Sequence, residues 1–479
     1  MGVGTVYLVG AGPGDSKLIT VRGFEYLRTA DVVLYDRLVN PLLLDEAKPK
    51  AELIYCGKLP DRHHLRQEAI QEVMIEKAKE GLHVIRLKGG DPGVFGRVGE
   101  EAAALAEAEV PYEIIPGITA GIAAPAYAGV PVTHREHASS FAIVTGHAQT
   151  GEPSPNWEGL ATSIDTIAFY MGVKNLSFIA ENLIKHGKSK DTPIMLVEWA
   201  TTSRQRTVEG TLENITEVVE RENIKNPALT LVGDVVGLRK SLHWFEKKKL
   251  TDQTILVGQT NSKKSSIAAK LRENGAEAFE FPSFRETPES ESFPENLKSF
   301  SKIVFLASES VTPFFKEIKR RRIDVRSLPS EITATTKRGA VYLEEHGIFS
   351  EIDSFIQEEE GVLYIGKEDQ IAPLSEDGWI SHRAVTNEKS NITLVRLHQD
   401  KRLTTVVFPC AEAVETVTRE VEEAGISFKE WKEDKLFICY GPKSRMKAEE
   451  TGYENCIELE QPDVDHLIAS LAATQITYS

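Results

Sequence analysis

Short apolar runs alternate with amphipathic stretches along the whole chain. Val6–Val9 is an apolar run ending at Gly10, which predicts a buried strand. Thr20–Thr29 brings Val21, Phe24 and Leu27 round at helical spacing. Val32–Tyr35 and Leu53–Cys56 predict two more strands. Gln67–Lys79 reads as an amphipathic helix with Ile70, Val73, Met74 and Ala78 on one face. His83–Leu87 predicts a strand, Glu100–Ala108 an Ala/Glu-rich helix, and Tyr112–Ile115 another strand. Strands alternating with helices in this way predict an α/β fold with largely parallel sheets.

The pattern breaks near 147–158, where Pro, Gly and polar residues cluster. Beyond it, Thr166–Tyr170, Pro193–Val197, Thr207–Glu209 and Ala228–Val232 predict strands of a second α/β unit. Leu176–Ile184 and Leu212–Glu220 predict its helices. A polar, charged stretch at 246–252 reads as a linker. The pattern then restarts with a strand at Ile255–Val257, a helix at Ser265–Asn274 and Gly275 as its cap. Within this last part, Ile303–Leu306 with the segment after it parallels Val406–Phe408 with its own. Residues 334–348 likewise parallel 439–453. Both comparisons predict two similar α/β lobes. The expected organisation is 1–245, itself two subdomains, a linker at 246–252, and 253–479 as two lobes.

Charge sharpens this division. Residues 1–250 hold 28 basic and 32 acidic side chains, a net of −4, so the rest carries −12 of the total −16. A chain this acidic is not expected to bind nucleic acid or anionic membrane. None of its four cysteines forms a CxxC pair, and no structural zinc or disulfide framework is expected. There is no secretory leader pattern at the first residues and no apolar run of membrane-spanning length, so a cytoplasmic location is expected.

Four segments carry candidate chemistry. Gly10–Asp15, GAGPGD, follows a strand, and its glycines permit a tight turn and close backbone approach to a ligand. Pro13 departs from the GxGxxG spacing of dinucleotide sites. Gly89–Arg97, GGDPGVFGR, also follows a strand. Its Asp91 suits hydroxyls or an amine, and its Arg97 suits an anion. Pro116–Glu136 is rich in Gly, Ala and Pro, with Thr119 and Ala120 at its turn and His134 and Arg135 at its end. Leu34–Pro41 places Asp36 and Arg37 at a strand's carboxyl end, where α/β folds gather ligand groups. The loop beyond it holds Lys58, Arg62, His63, His64 and Arg66. Taken singly, these segments also read as a tight turn, a capped turn, a closely packed helix and a solvated basic face.

In order and spacing the set resembles the tetrapyrrole methylase family, and within it the uroporphyrinogen-III C-methyltransferases. The resemblance spans about residues 4–245 and is carried by YDRLV, GKLPDRHHLRQEAI, RLKGGDPGVFGR, PGITAGIAAPAYAGVPVTHRE, FYMGVKNL, VEWATTSRQRTVEG and NPALTLVGDVV. It implies two α/β domains with S-adenosylmethionine between them and no metal. On the matching positions it implies cofactor contacts from Pro13, Gly89, Gly90, Asp91, Val94, Thr119, Ala120, Met171, Ala200 and Ala228. Asp36 would be the proton acceptor and Lys58 the proton donor. Arg37, Arg62, His63, Arg66, Arg97, His134 and Arg135 are candidates, on charge and placement, for a tetrapyrrole's carboxylates. The implied product is precorrin-2, on the branch to siroheme and cobalamin, and the implied assembly is a homodimer. Relatives that also oxidise and metallate the product carry a further amino-terminal module. With the first motif at Gly10, the chain is expected to stop at precorrin-2.

Residues 253–479 resemble uroporphyrinogen-III synthase in organisation. The family's Thr-Arg after the first strand is here Gln259-Thr260-Asn261. Of its Ser-rich loops, Ser308 and Ser310 remain, while Cys410 replaces a small polar residue. Synthase activity and a non-catalytic synthase-like module are both compatible with these residues.

Overall fold

The computed structural model describes residues 2–57, 67–146, 155–288, 293, 294, 296–353, 359–371, 378–387 and 389–475. The chain forms two compact units. The first comprises Met1–Thr260, Lys264–Pro282 and Glu388–Ser479, and the second Asn261–Lys263 and Ser283–Asn387.

The first sheet of the first unit holds β1 (Val6–Gly10), β2 (Val32–Tyr35), β3 (Glu52–Tyr55), β4 (Val84–Lys88) and β5 (Tyr112–Ile115), ordered β3-β2-β4-β1-β5. Every pairing is parallel. Both faces are covered. Val9, Val33, Ile85 and Leu87 join one core cluster with Leu27 of the Val21–Thr29 helix. Val6, Leu8, Leu34 and Val84 join the opposite one, closed by Met74 of the Gln67–Lys79 helix and Leu105 of the Val98–Glu107 helix. Strands buried on both sides read as continuous apolar runs, which is why this sheet is plain in the sequence.

The second sheet holds β6 (Phe141–Thr145), β7 (Thr166–Tyr170), β8 (Pro193–Glu198), β9 (Arg206–Thr211) and β10 (Ala228–Val232), ordered β6-β7-β10-β8-β9. Only β6 and β7 pair in parallel; β10 runs antiparallel to both β7 and β8, and β8 and β9 form a hairpin pair. This departs from the largely parallel pattern expected. β9 carries its exposed and half-buried residues as an edge strand joined to β8 by a short loop, and a two-sided apolar run is absent there.

A third sheet completes this unit. It contains β11 (Thr254–Gly258) and β12 (Glu277–Phe281). Between them lies the Ser266–Glu273 helix, which Gly275, at φ +102°, follows. The second unit follows in the chain. It contains β13 (Phe284–Pro288), β14 (Lys302–Phe305), β15 (Glu331–Ala334), β16 (Val362–Gly366), β17 (Trp379–Ile380) and β18 (His382–Thr386), with β15-β14-β16-β17 as a four-stranded sheet and β13-β18 as a pair. The chain then supplies β19 (Thr405–Phe408), β20 (Leu436–Cys439) and β21 (Cys456–Glu458), giving the third sheet the order β12-β11-β19-β20-β21, again all parallel.

The internal echo in the sequence is a repeat of elements. β14 and β19 are each followed by a helix, Val311–Arg320 and Ala411–Glu423. β15 and β20 are each followed by a helix and then a left-handed glycine, Gly347 and Gly452.

Candidate active site

Three glycine-containing loops meet at the carboxyl ends of the first sheet. Gly12 and Gly90 exchange backbone hydrogen bonds of 3.2 and 2.7 Å, clasping the loop after β1 to the loop after β4. Gly10 and Gly117 are pressed together so closely that a Cβ on Gly10 would lie 2.5 Å from the Gly117 Cα. No larger residue fits, which explains glycine at both places. Asp91 joins two of the loops: its Oδ2 accepts from the Gly117 amide at 2.8 Å and its Oδ1 from the Gly93 amide at 2.7 Å. At Gly90, φ is +73° and a Cβ would meet nothing within 4 Å, so the clasp presents open backbone there.

Loops of the second sheet close on the same point. Asp15 N donates to Thr201 Oγ1 at 3.0 Å, and Asn40 Nδ2 donates to the Gly14 carbonyl at 2.7 Å. Beside Ala200, Trp199 and Thr201 have left-handed backbones, at φ +46° and +67°. Trp199 N donates to the carbonyl of Pro227, just before Ala228. Tyr170, at the end of β7, bonds through its hydroxyl to Thr119 and to the Gly121 amide. Its neighbour Met171 is half exposed at φ +56°, and the Tyr170 ring lies 5.2 Å from that of Phe95. The structure places Pro13, Gly89, Gly90, Asp91, Val94, Thr119, Met171 and Ala200 on these loops, with Ala120 opening the Ala120–Tyr127 helix and Ala228 opening β10.

Behind the clasp runs a chain of buried charges. Alternation along β4 turns Arg86 and Lys88 to the same face as Val84. Arg86 Nη2 pairs with Asp36 Oδ1 at 2.5 Å, and its Nε pairs with Glu101 Oε1 at 3.3 Å. Lys88 Nζ reaches the same oxygen at 2.7 Å, and Gln67 Nε2 donates to it at 3.0 Å. Glu101 is wholly buried and Arg86 is 3% exposed. Burial pulls the Arg86 guanidinium down, but Asp36 and Glu101 outweigh it and hold it above its ordinary value. Lys88 is lowered, by burial and by Arg86. Burial pushes the nearby Cys56 thiol up to about 11, so it stays protonated at neutral pH. The Asp36 backbone is held too, its amide donating to the Leu87 carbonyl at 3.3 Å.

The basic candidates separate. Lys58, Arg62, His63 and Arg66 lie outside the described residues. Arg37 is exposed beside Asp36. Arg97 is half exposed and held by Glu100 through its Nε at 2.9 Å. His134 and Arg135 sit on a turn closed by the mutual backbone bonds of His134 and Ala138, with the His134 Nδ1 accepting from the Glu136 amide at 3.2 Å. In that turn the ligand-type atoms of His134, Glu136 and His137 come within 4.8 Å of one another, all on or near the surface. In the second unit Ser308 and Ser310 are buried, and Ser310 accepts from the Ser381 hydroxyl at 2.8 Å. Cys410 is exposed.

Arg86, Lys88 and Glu101 were not evident as site residues from the sequence. The available signal was two cations spaced by two inside an apolar strand, a costly arrangement unless a buried anion answers it.

The profile of the tetrapyrrole (corrin/porphyrin) methylases matches residues 5–216, and that of uroporphyrinogen-III synthase HemD matches 265–469. A uroporphyrinogen-III C-methyltransferase of Bacillus subtilis (strain 168) is 40% identical over 449 residues, 92% of each chain. A protein of the same description from Priestia megaterium is 55% identical over 236 residues, 49% of this chain and 99% of its own. Among solved structures, a uroporphyrin-III C-methyl transferase from Thermus thermophilus complexed with S-adenyl homocysteine is 39% identical, covers 49% of this chain and 100% of its own, and gives a TM-score of 0.43.

Proposed function

The chain belongs to the uroporphyrinogen-III C-methyltransferase family, and from that premise we propose that residues 1–245 transfer methyl groups from S-adenosylmethionine to two ring carbons of uroporphyrinogen III, giving precorrin-2. The observation that carries this reading is the clasp of Gly12 and Gly90 beside the Arg86–Asp36 pair. It sets open backbone next to a held carboxylate.

The residues suit the methyl donor. Gly90 offers unobstructed backbone, and Met171 offers a half-exposed thioether on a left-handed turn. Bound there, S-adenosylmethionine supplies an electrophilic methyl group on a sulfonium. In this reading Pro13, Gly89, Gly90, Asp91, Val94, Thr119, Ala120, Met171, Ala200 and Ala228 hold it. Asp91 does so while already binding two backbone amides, which fixes the loops that shape the pocket. Loops of both subdomains would hold the donor, and alignment of its methyl group with a pyrrole carbon is the main service such a site would supply.

Transfer of the methyl to a pyrrole carbon that already bears a side chain, with the thioether as leaving group, would leave that ring as an iminium cation. Neutrality returns when a proton leaves its nitrogen or the adjoining bridge carbon, and Asp36 is assigned to take it. Its ion pair with Arg86 aims the carboxylate. Lys58 returns a proton where the macrocycle needs one. Arg37, Arg62, His63, Arg66, Arg97, His134 and Arg135 are assigned to the substrate's carboxylates, which charge-assisted pairs bind strongly. A homodimer in the cytoplasm, the partition 1–245, 246–252 and 253–479, and siroheme and cobalamin as the downstream branches belong to the same reading.

For residues 253–479 we infer cyclisation of hydroxymethylbilane to uroporphyrinogen III, the substrate of the first half; the match over 265–469 supports it. Incubating the protein anaerobically with S-adenosylmethionine and uroporphyrinogen III tests the first activity, with a dimethylated product expected. Unmethylated substrate would reject it. Supplying hydroxymethylbilane tests the second. Formation of the uncatalysed type I isomer alone would reject synthase activity and leave a non-catalytic module.

A further inference from the structure

The loop that carries Asp36 and Arg37 is gripped by the carboxyl-terminal part of the first unit. The Lys389–Gln399 helix packs on the short Pro41–Leu44 helix, and Leu42 joins the core cluster that contains Leu394 and Leu397. Lys389 Nζ donates to the Lys48 carbonyl at 2.5 Å, and Lys264 pairs with Glu46 at 3.1 Å. One contact reaches further. The Arg396 guanidinium donates through Nη2 to the Arg37 carbonyl. Its other terminal nitrogen, Nη1, is buried without a hydrogen-bond partner among the described residues.

The turn thus has three anchors. The Asp36 amide is tied to Leu87, and the amide of Val39 closes the turn onto the Asp36 carbonyl at 3.2 Å. Arg86 holds the Asp36 side chain. Arg396 holds the peptide that follows Asp36 and leads to Leu38. That peptide's orientation decides where the exposed Arg37 side chain points. Arg396 is half-buried, and its charge makes the bond to the carbonyl stronger than one from a neutral donor. Burial and then Arg402 lower the Arg396 guanidinium from its ordinary value, yet an arginine remains charged at neutral pH.

We propose that Arg396 is a positioning residue for methyl transfer: by holding the Arg37 carbonyl, it fixes the part of the turn that presents Arg37 to the tetrapyrrole, while Asp36 keeps its own anchors in Arg86 and Leu87. The inference rests on the function proposed above. It makes the carboxyl-terminal part of this unit a component of the methyl-transfer site.

The experiment is steady-state kinetics of the full chain with S-adenosylmethionine and uroporphyrinogen III. Arg396→Met keeps the aliphatic stem and removes the donor. It is expected to raise KM for uroporphyrinogen III about fivefold, the worth of one hydrogen bond. KM for the methyl donor and kcat should stay within about twofold. Arg396→Lys restores a donor and should recover most of the loss. Lys389→Met loosens the same interface away from the turn and should leave KM unchanged. An unchanged KM in Arg396→Met overturns the proposal. So does an equal rise in Lys389→Met, which would make the effect one of general docking. A fall in kcat alone also overturns it. Should Arg396→Met not fold, Arg396→Gln, whose amide is too short to reach, takes its place with the same expectation. A wild-type chain that leaves uroporphyrinogen III unmethylated overturns the functional reading and this proposal together; an active wild type without the KM split overturns the proposal alone.

Discussion

The first and third sheets of the first unit are built to one plan and differ at the middle strand. Both have five strands, all parallel, with helices on their faces. The middle strand of the third sheet, β19, is Thr-Val-Val-Phe, buried at every position. That of the first, β4, is Val-Ile-Arg-Leu-Lys, equally buried, with two cations answered by Glu101 and Asp36. A middle strand of this architecture needs no charge, as β19 demonstrates; the third sheet's buried pair, Arg402 with Glu277, lies outside its middle strand, at the start of β12 and ahead of β19. Desolvating such groups costs several kcal/mol per ion, so cations inside β4 are explained by the carboxylate they hold, at the sheet end where the glycine loops converge.

The largest expected effect is on rate. Asp36→Ala should lower methyl-transfer turnover by about 10²–10⁴, the usual range for a proton-transferring group, with cofactor affinity unchanged by calorimetry. Loss of cofactor binding instead would make Asp36 a structural residue and dissolve the contrast with β19.

Next comes stability. Glu101→Ala strands Arg86 and Lys88 without their shared anion and should cost about 3–5 kcal/mol in urea unfolding. The sharper version converts β4 into a strand like β19. The triple variant Arg86→Met, Lys88→Met, Glu101→Leu should equal the wild type or exceed it by about 1–4 kcal/mol, while methyl transfer collapses. A triple variant clearly less stable than wild type would mean that the charges serve the fold.

The smallest effect lies where the two sheets' surroundings meet. Asp45 follows the Pro41–Leu44 helix and borders a small cavity with Phe281, Leu394 and Leu397. Burial, then Glu46 and Glu280, push its carboxyl up to about 7, against the partial relief of Lys389 and Arg272. In the unfolded chain it titrates at its ordinary 3.8, so the folded protein binds this proton more tightly. Its contribution to stability is therefore complete below pH 4, is lost as pH rises to about 7, and is level above that. Asp45→Asn should remove this dependence and raise Tm at pH 8 by a few degrees, since a chain of this size shifts little per kcal/mol. An unaltered stability profile between pH 4 and 8 would show that the carboxyl is solvated.

Much of the first sheet was readable in advance because a parallel strand buried on two faces leaves an unbroken apolar run. The ten positions that the resemblance assigns to the cofactor carry no signal of their own in the apolar pattern; eight lie on loops, and Ala120 and Ala228 open a helix and a strand. β6 is hard to read from the sequence, since its Phe-Ala-Ile-Val-Thr run directly precedes the Pro- and Gly-rich stretch that marks the break. Glu101 was hidden for a different reason: beside Glu100 and Glu107 it reads as one more solvated helix glutamate, and only the strand opposite reveals its burial. The third sheet was the least legible. β11 pairs with β19 across a whole intervening unit, and no local pattern encodes a partner that distant.

That pairing also bears on how the chain is made. As the ribosome releases it, β11 and β12 emerge with one flank uncapped, and β19 follows only after the second unit has been synthesised. Until then Ile255, Leu256 and Val257 stand on an open strand edge, the kind of surface that recruits stray strands from other chains. A message truncated between residues 282 and 404 would therefore yield a first half with both its own sheets complete, carrying behind it an adhesive fragment.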